Sequence, residues 1–476
     1  EHLSFENRYR IAAEIVKAIK RDCGDDFPVS LRYSVVSKTK GFRQGALPEE
    51  TDFVEVGRDM AESEKAAKFL QDAGYDMLNC DNGTYDAWYW AHPPAYMPMN
   101  CNLEYVKHIK QFVDIPVVCA GRMTPEDGAA AVRAGDIDAV GVARQFLTDP
   151  AWVTKLMEDR CEDIKPCICC HNACFTMAHH EGSANDQDLF DALFMSRCAL
   201  NPQTMQSKKY RIVKTGHPKK IAVIGGGNGG LGWGAGLHFL VRAARGHKVD
   251  LYEKTNELGG VFIPAAAPSY KEKDRELIEW YRRAIERSDV TVHRNTEVKD
   301  VASLGADEVI VATGAAPRSL PVPGAEKAIE ATEFLRGREV GDRVVIVGGG
   351  LTGCEIAYDL ILSGKHPTIV EMKNDLIAVR GVCLANSSFL RETLALHKAP
   401  VYLETSVREI RADGVTLRGK DGKDFDVACA AVILSVGYEP RPLVPASRHV
   451  HIVGDANGVG NLRTVIWRAW DVCMKL

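Results

Sequence analysis

The sequence predicts an α/β protein: the C-terminal half of a (β/α)8 TIM barrel, then a cysteine-rich loop, then two nested Rossmann-like folds. Three observations carry this. Short apolar strands alternate with amphipathic helical segments over residues 1–160. Five cysteines fall within KPCICCHNACF…SRCALNP, four of them at a cluster-like spacing. Two glycine fingerprints follow, each at the end of an apolar strand. The boundaries expected from these patterns are 1–160 for the half-barrel, 161–215 for the cysteine segment, and 216–330 for the first part of one dinucleotide fold. The second fold spans 331–430, and the chain returns to the first over 431–476.

The 476 residues exceed what one core usually supports, so several domains are expected. A hydrophobic fraction of 46% and a charged fraction of 26% are those of a soluble protein. A net charge of −5 without a basic cluster argues against nucleic acid as a partner. No apolar run approaches the roughly 18 residues of a membrane span, and EHLSFENRYR lacks the apolar core of a secretory leader. Fourteen cysteines, concentrated in one segment, suit metal ligation in a reducing compartment better than a disulfide framework. A cytoplasmic protein is expected.

In the first part the expected strands are FPVSLRYS (27–34), DMLNC (76–80), IPVVCAG (115–121) and DAVGVAR (138–144). Segments such as ESEKAAKFLQDAGY and TPEDGAAAVRAGD lie between them, with apolar residues at helical spacing. Such alternation with apolar strands means a parallel sheet covered by helices. The last two strands run into Gly121-Arg122 and Ala143-Arg144. The C-terminal ends of late strands are where such a barrel commonly grips a phosphate. Four strands cannot close a barrel, so either four more lie outside this chain or the domain is a different, open α/β sheet. The aromatic run after the second of these strands, Tyr85 to Trp90, would stand at the catalytic face. Tyr85 could hydrogen-bond a substrate carboxylate or polarise a carbonyl, whereas the tryptophans could equally be packing.

Cys167, Cys170 and Cys174, with Cys198 before Asn201-Pro202, have the spacing of a cluster held by four thiolates. Zinc is the competing metal, since four cysteines also close a tetrahedral site. Cys169 could shift the ligand register. His171, His179 and His180 are read as exposed loop residues.

KKIAVIGGGNGG places Gly225, Gly227 and Gly230 after a strand, and KVDLYEK ends at Glu253. The glycines continue to Gly236, which leaves the register open. The second fingerprint, RVVIVGGGLTGCEIAYDL, is cleaner: Gly348, Gly350 and Gly353 precede TIVEMK, which ends at Glu371. Such a turn brings a pyrophosphate to a helix N-terminus, and the acidic residue accepts from a ribose hydroxyl. Glu371 would repel a 2′-phosphate and so favour NADH over NADPH, with Lys373 nearby weakening that preference.

On these residues, together with ENRYR, LRYS, KGFRQGALP and TYDAWYWAHPPAYM, the chain resembles the Old Yellow Enzyme-type barrel fused to a flavoprotein module. That architecture belongs to 2-enoate reductase, 2,4-dienoyl-CoA reductase and trimethylamine dehydrogenase. The resemblance implies FMN in the barrel, with Arg32 at its pyrimidine edge and the backbone around Gly121, Arg122, Ala143 and Arg144 at its phosphate. It implies a [4Fe–4S] cluster on Cys167, Cys170, Cys174 and Cys198. The later folds resemble the glutathione-reductase type, with FAD in the first and NADH in the second. The Leu258-Gly259-Gly260 turn, Thr313-Gly314 and Asp455 match that module, Asp455 at the FAD ribityl chain. The implied function is NADH-dependent reduction of the C=C bond of an α,β-unsaturated carboxylate, with electrons passing from NADH through FAD, the cluster and FMN. Alternatives are a dienoyl-CoA or unsaturated steroid reductase, an amine-dehydrogenase-like or electron-transfer flavoprotein, and a diaphorase. The expected partner is a small unsaturated acid or thioester, and a homo-oligomer accords with the resemblance.

Overall fold

The computed structural model describes residues 4–176, 195–227, 245–379 and 381–476. The chain forms two compact units, Glu1–Ala143 with Leu384–Glu392, and Arg144–Cys383 with Thr393–Leu476.

In the first unit, β1 (Ser30–Ser34) is followed by a small hairpin of β2 (Thr39–Gly41) and β3 (Gln44–Gly45). Then come β4 (Met77–Asp81), β5 (Val117–Ala120) and β6 (Ala139–Gly141). The order β1-β4-β5-β6 is parallel throughout, so each connection is a crossover carrying a helix. Helix Met60–Ala73 starts where the Asp59 carboxylate accepts from Glu62 N at 2.8 Å and stops at left-handed Gly74. Helix Pro125–Ala134 starts on a Thr124 cap with proline in its first turn and ends at Gly135. Val16, Leu70, Leu78, Val106, Ile109 and Val117 form the core between sheet and helices. The four expected strands are all present; β1 starts later than expected, β4 is shifted one residue onward to Asp81, and β5 and β6 are trimmed at both ends.

The second unit contains two parallel five-stranded sheets of the same design. The first comprises β7 (Lys220–Ile224), β8 (Lys248–Tyr252), β9 (Val290–His293), β10 (Glu308–Val311) and β21 (Val450–Ile452), in the order β21-β10-β7-β8-β9. A ribbon of β11 (Ala315–Pro317) and β20 (Tyr438–Pro440) marks where the chain leaves and re-enters it. The second sheet comprises β12 (Ile329–Glu330), β13 (Arg343–Val347), β14 (His366–Val370), β15 (Val401–Tyr402) and β19 (Ala431–Leu434), in the order β12-β19-β13-β14-β15. An antiparallel sheet of β16 (Ser406–Ile410), β17 (Gly414–Arg418) and β18 (Asp424–Ala428) completes it. The central strands are buried on both faces, hence their unbroken apolar runs. Helix Leu462–Lys475, opened by an Asn461–Thr464 capping box, packs Val465, Ile466 and Trp467 against the cysteine segment.

At the N-terminal end of β10, Glu308 is buried and receives Lys219 Nζ at 2.8 Å, His451 Nε2 at 2.9 Å and His449 Nδ1 at 3.4 Å. Burial pushes its carboxyl up, but these hydrogen bonds outweigh it and hold the group at about 2. A carboxyl depressed in the folded state stabilises above its unfolded value and loses that contribution as pH falls through the folded one. Thermal melts should therefore show stability falling from about pH 4.5 towards pH 2. Glu308→Gln should cost about 1–3 kcal/mol at neutral pH and flatten that acid limb; an unchanged limb would remove Glu308 as its cause.

Candidate cofactor sites

The loops at the C-terminal ends of β1, β4 and β5 are tied by an amide ladder. Asn82 accepts from Val36 N and donates to Asn102 Oδ1, both at 3.0 Å, and Asn102 Nδ2 donates to Ala120 O at 2.8 Å. Both asparagines are fully buried, so the ladder fixes the loop ends at the barrel mouth. Arg32 on β1 ion-pairs with Asp81 at the end of β4. Burial raises the Asp81 carboxyl to about 6 despite Arg32, while Arg32 itself stays largely exposed and able to face a ligand. Gly121 has φ 136°, and a Cβ there would strike the Asn102 amide, so the backbone at this turn is bare. Arg122 is buried, and its side chain donates to Ala95 O at 2.8 Å and to Met97 O. Ala143 closes the first unit.

Tyr85 is 79% exposed, its ring 4.6 Å from that of Trp88, which lies 4.8 Å from His92. Trp88 and Trp90 are buried, and Trp90 donates to Ala46 O at 2.6 Å, so these tryptophans pack the loop and Tyr85 alone presents its ring. Two features here left no mark in the sequence. Lys38 is buried with Nζ 2.7 Å from Tyr105 Oη and 4.7 Å from the Trp90 ring. Tyr89 donates to Glu392 Oε2 at 2.9 Å, and burial raises that carboxyl to about 7. The partners of the latter pair are 303 positions apart, and no local pattern signals such a contact.

The two dinucleotide folds repeat one cradle. Gly225 N donates to Tyr252 O, and Gly348 N to Val370 O, both at 2.8 Å. Their φ angles are 105° and 110°, and a Cβ at either would collide with a carbonyl, Ala312 O or Ser435 O. Gly226 N donates to Glu253 Oε2 at 2.6 Å; Gly349 N donates to Glu371 Oε2 at 2.7 Å. Each second oxygen accepts from the residue two further on, Thr255 N or Lys373 N, at 2.8 Å. Gly225 to Gly227 thus stand in the same arrangement as Gly348 to Gly350, while Gly230 lies outside the described residues. Gly350 faces open space, as a turn approached by a pyrophosphate must. Gly260 sits against Gly227, its Cα 3.5 Å from where a Cβ would stand. Gly353 packs on the Gly348 carbonyl too closely for any side chain. Thr313 Oγ1 donates to Arg441 O at 2.7 Å beside Gly314, tying the crossover. Asp455 accepts from Gly460 N at 3.1 Å, and burial raises its carboxyl.

Cys167, Cys170, Cys174 and Cys198 line one pocket, together with Cys169 and Arg197. Contact with Cys169, then burial, holds the Cys167 thiol well above its ordinary value; burial does the same to Cys170 and pushes Cys174 up to about 12. Metal binding to such thiols would expel their protons. Four cysteines lining one pocket are a donor set that suits an iron–sulfur cluster. His171 corrects an expectation. It is 1% exposed, not a solvent-facing loop residue, and its Nε2 lies 2.7 Å from Arg144 Nη1. Arginine only donates, so Nε2 accepts and the ring is neutral. Arg144 thus spends its side chain on the cysteine loop. His179 and His180 lie outside the described residues.

Residues 3–163 match the NADH:flavin oxidoreductase / NADH oxidase family, and residues 219–461 match the pyridine nucleotide-disulphide oxidoreductases. The chain is 37% identical to cinnamate reductase of Clostridium sporogenes, over 99% of its own length and 70% of that protein. The chain belongs to this family of fused NADH:flavin oxidoreductases. It is also 31% identical to NADH oxidase of Thermoanaerobacter brockii, again over 99% of the chain and 70% of the relative. A 2-naphthoyl-CoA reductase structure superposes with a TM-score of 0.83 at 24% identity, over 100% of this chain and 69% of that one. Histamine dehydrogenase from Rhizobium sp. 4-9 superposes with a TM-score of 0.80 at 21% identity, over 100% and 69%; both matches show the fold. The family's cofactors are FMN for the barrel-type domain, FAD and NAD(P)H for the paired folds, and an iron–sulfur cluster, which the cysteine pocket fits. No helix among the described residues is long and apolar enough to cross a membrane.

The Glu371 carboxylate, oriented by two backbone amides, should discriminate against a 2′-phosphate. Glu371→Gln keeps an acceptor for Gly349 N but removes the charge. The ratio of kcat/KM for NADH over NADPH, read with a dye acceptor, should fall about tenfold, or about 1.4 kcal/mol. An unchanged ratio would place the selectivity elsewhere.

Proposed function

We propose that this protein catalyses NADH-dependent reduction of the C=C bond of an α,β-unsaturated carboxylate, with an aryl acrylate of the cinnamate kind as first choice. One enoate, one NADH and one proton give the saturated acid and NAD+. When bound, FAD, the cluster and FMN supply hydride and single-electron chemistry that no side chain possesses. The observation that carries this reading is the four-cysteine cavity in the same compact unit as two glycine–glutamate cradles. A carrier of single electrons has a task beside two sites for two-electron carriers; a module that only bound NADH would need neither.

The chain's own residues then have distinct tasks. The Gly348–Gly350 turn receives the NADH pyrophosphate at the start of helix Leu351–Leu362, and Glu371 accepts from its adenosine ribose. The Gly225–Gly227 turn, Glu253 and Asp455 do the corresponding work for FAD. Arg32, steadied by Asp81, supplies fixed positive charge at the barrel mouth, where negative charge develops during reduction. Tyr85 offers a phenol to the substrate carboxylate, with Trp88 as the wall behind its ring.

Relatives with this module also oxidise amines, so the assay must separate the two chemistries. Anaerobic NADH oxidation should depend on cinnamate and yield one saturated acid per NADH. Because electrons pass singly, deuterium at the nicotinamide C4 should not reach the product, whereas reduction in D2O should label its β-carbon. Oxidation of NADH by dyes alone, with cinnamate and other enoates inert, would contradict the proposal. Tyr85→Phe should raise KM for the acid about tenfold if its hydroxyl holds the carboxylate.

A further inference from the structure

The two segments that flank Tyr85 meet on one side chain from a distant part of the chain. Helix Leu384–Leu396 falls in sequence within the second dinucleotide fold, yet its stretch Leu384–Glu392 belongs to the first compact unit. Glu392 accepts from Tyr89 Oη at 2.9 Å with one carboxylate oxygen and from Gly45 N at 3.3 Å with the other. Tyr89 stands in the loop after β4, and Gly45 in the hairpin of β2 and β3. One turn earlier on the same helix, Phe389 sets its ring edge-on to Tyr89 at 5.5 Å and stacked on Tyr96 at 5.4 Å. Tyr89 and Phe389 are fully buried. Hairpin and loop approach so closely here that a Cβ on Gly45 would stand 2.6 Å from Tyr89 Oη.

The same hairpin and loop are also joined on either side of Tyr85. Thr39 Oγ1 lies 2.9 Å from Thr84 Oγ1, and Arg43 N donates to Asp86 Oδ1 at 2.7 Å. Thr84 and Asp86 are the chain neighbours of Tyr85, whose ring is exposed. The direction of an exposed side chain is inherited from the backbone that carries it, so whatever locks hairpin to loop also aims the Tyr85 phenol. Glu392 sits where a carboxylate is costly. Burial pushes it up to about 7 against the pull of Gly45 N, Tyr89 and Lys40, while Glu50 adds to the rise and holds Lys40 Nζ at 2.7 Å. Two donors on two different segments offset that cost. We propose that Glu392, supported by Phe389, is a positioning residue for enoate binding: it clamps the hairpin to the aromatic loop and so fixes the backbone beneath Tyr85. It acts through Tyr89 and Gly45, not on the substrate. The proposal rests on the reading of Tyr85 as partner of the enoate carboxylate, and the two can fail separately.

The test takes two readings on anaerobically purified protein: hydrogen–deuterium exchange of residues 84–96, and kinetics with cinnamate beside dye-linked NADH oxidation. Glu392→Leu should speed exchange in that segment and raise KM for cinnamate about tenfold, with kcat changing less and dye-linked oxidation at the wild-type rate. Tyr89→Phe should do the same. The double variant should lose no more than either single one, since both remove one contact. Glu392→Gln, which keeps an acceptor for Tyr89, should recover most of the binding. Unchanged exchange in Glu392→Leu and Tyr89→Phe overturns the proposal, as do faster exchange with unchanged KM and additive losses in the double variant. A fall in dye-linked oxidation equal to that with cinnamate contradicts it too, because the damage would then be general. Should Glu392→Leu fail to fold, Tyr89→Phe and Glu392→Gln decide by the same readings. If the wild type leaves enoates untouched, the enoate reading falls, and exchange still decides whether Glu392 holds the loop.

Discussion

A thiol withdrawn from water resists ionisation, and the centre of this protein is built on that resistance. Cys170 and Cys174 are driven upward chiefly by burial, and Cys167 by its contact with Cys169 as well. Cys198, with Cys170 packed against it, belongs to a core made with Leu277, Tyr281, Val465 and Trp467. A cluster held by these cysteines would take them as thiolates, and their buried surroundings would then tune it.

Around that centre one structural solution is used twice. In both dinucleotide folds a carboxylate at the end of the second strand grips the middle amide of the glycine turn, and a carbonyl from the neighbouring strand's end forbids a side chain at the first glycine. Each carboxylate is thereby oriented before any ribose arrives, which lowers the ordering cost of binding. The chemical difference between the folds then lies in what surrounds the cradle, such as Asp455 for the first.

Much of this was legible in the sequence because it is local. Parallel strands buried on both faces write themselves as apolar runs, and β13 with its glycines is plain in RVVIVGGG. The first fingerprint was ambiguous because surplus glycines satisfy the pattern in several registers; the Gly226–Glu253 hydrogen bond matches the Gly349–Glu371 bond of the second fold. Long-range partners were invisible. Glu392 meets Tyr89, Arg197 meets Trp467, and His171 is buried against Arg144, none of which a periodicity encodes. His171 was misread since a polar residue in a loop is usually exposed, whereas this loop is folded into a core.

The most direct test is the cofactor content of anaerobically purified protein: flavins separated by chromatography, with iron, zinc and acid-labile sulfide measured on the same sample. The account predicts FAD, FMN and about four irons with matching sulfide per protein. Zinc in place of iron, with no sulfide, would contradict it at its centre.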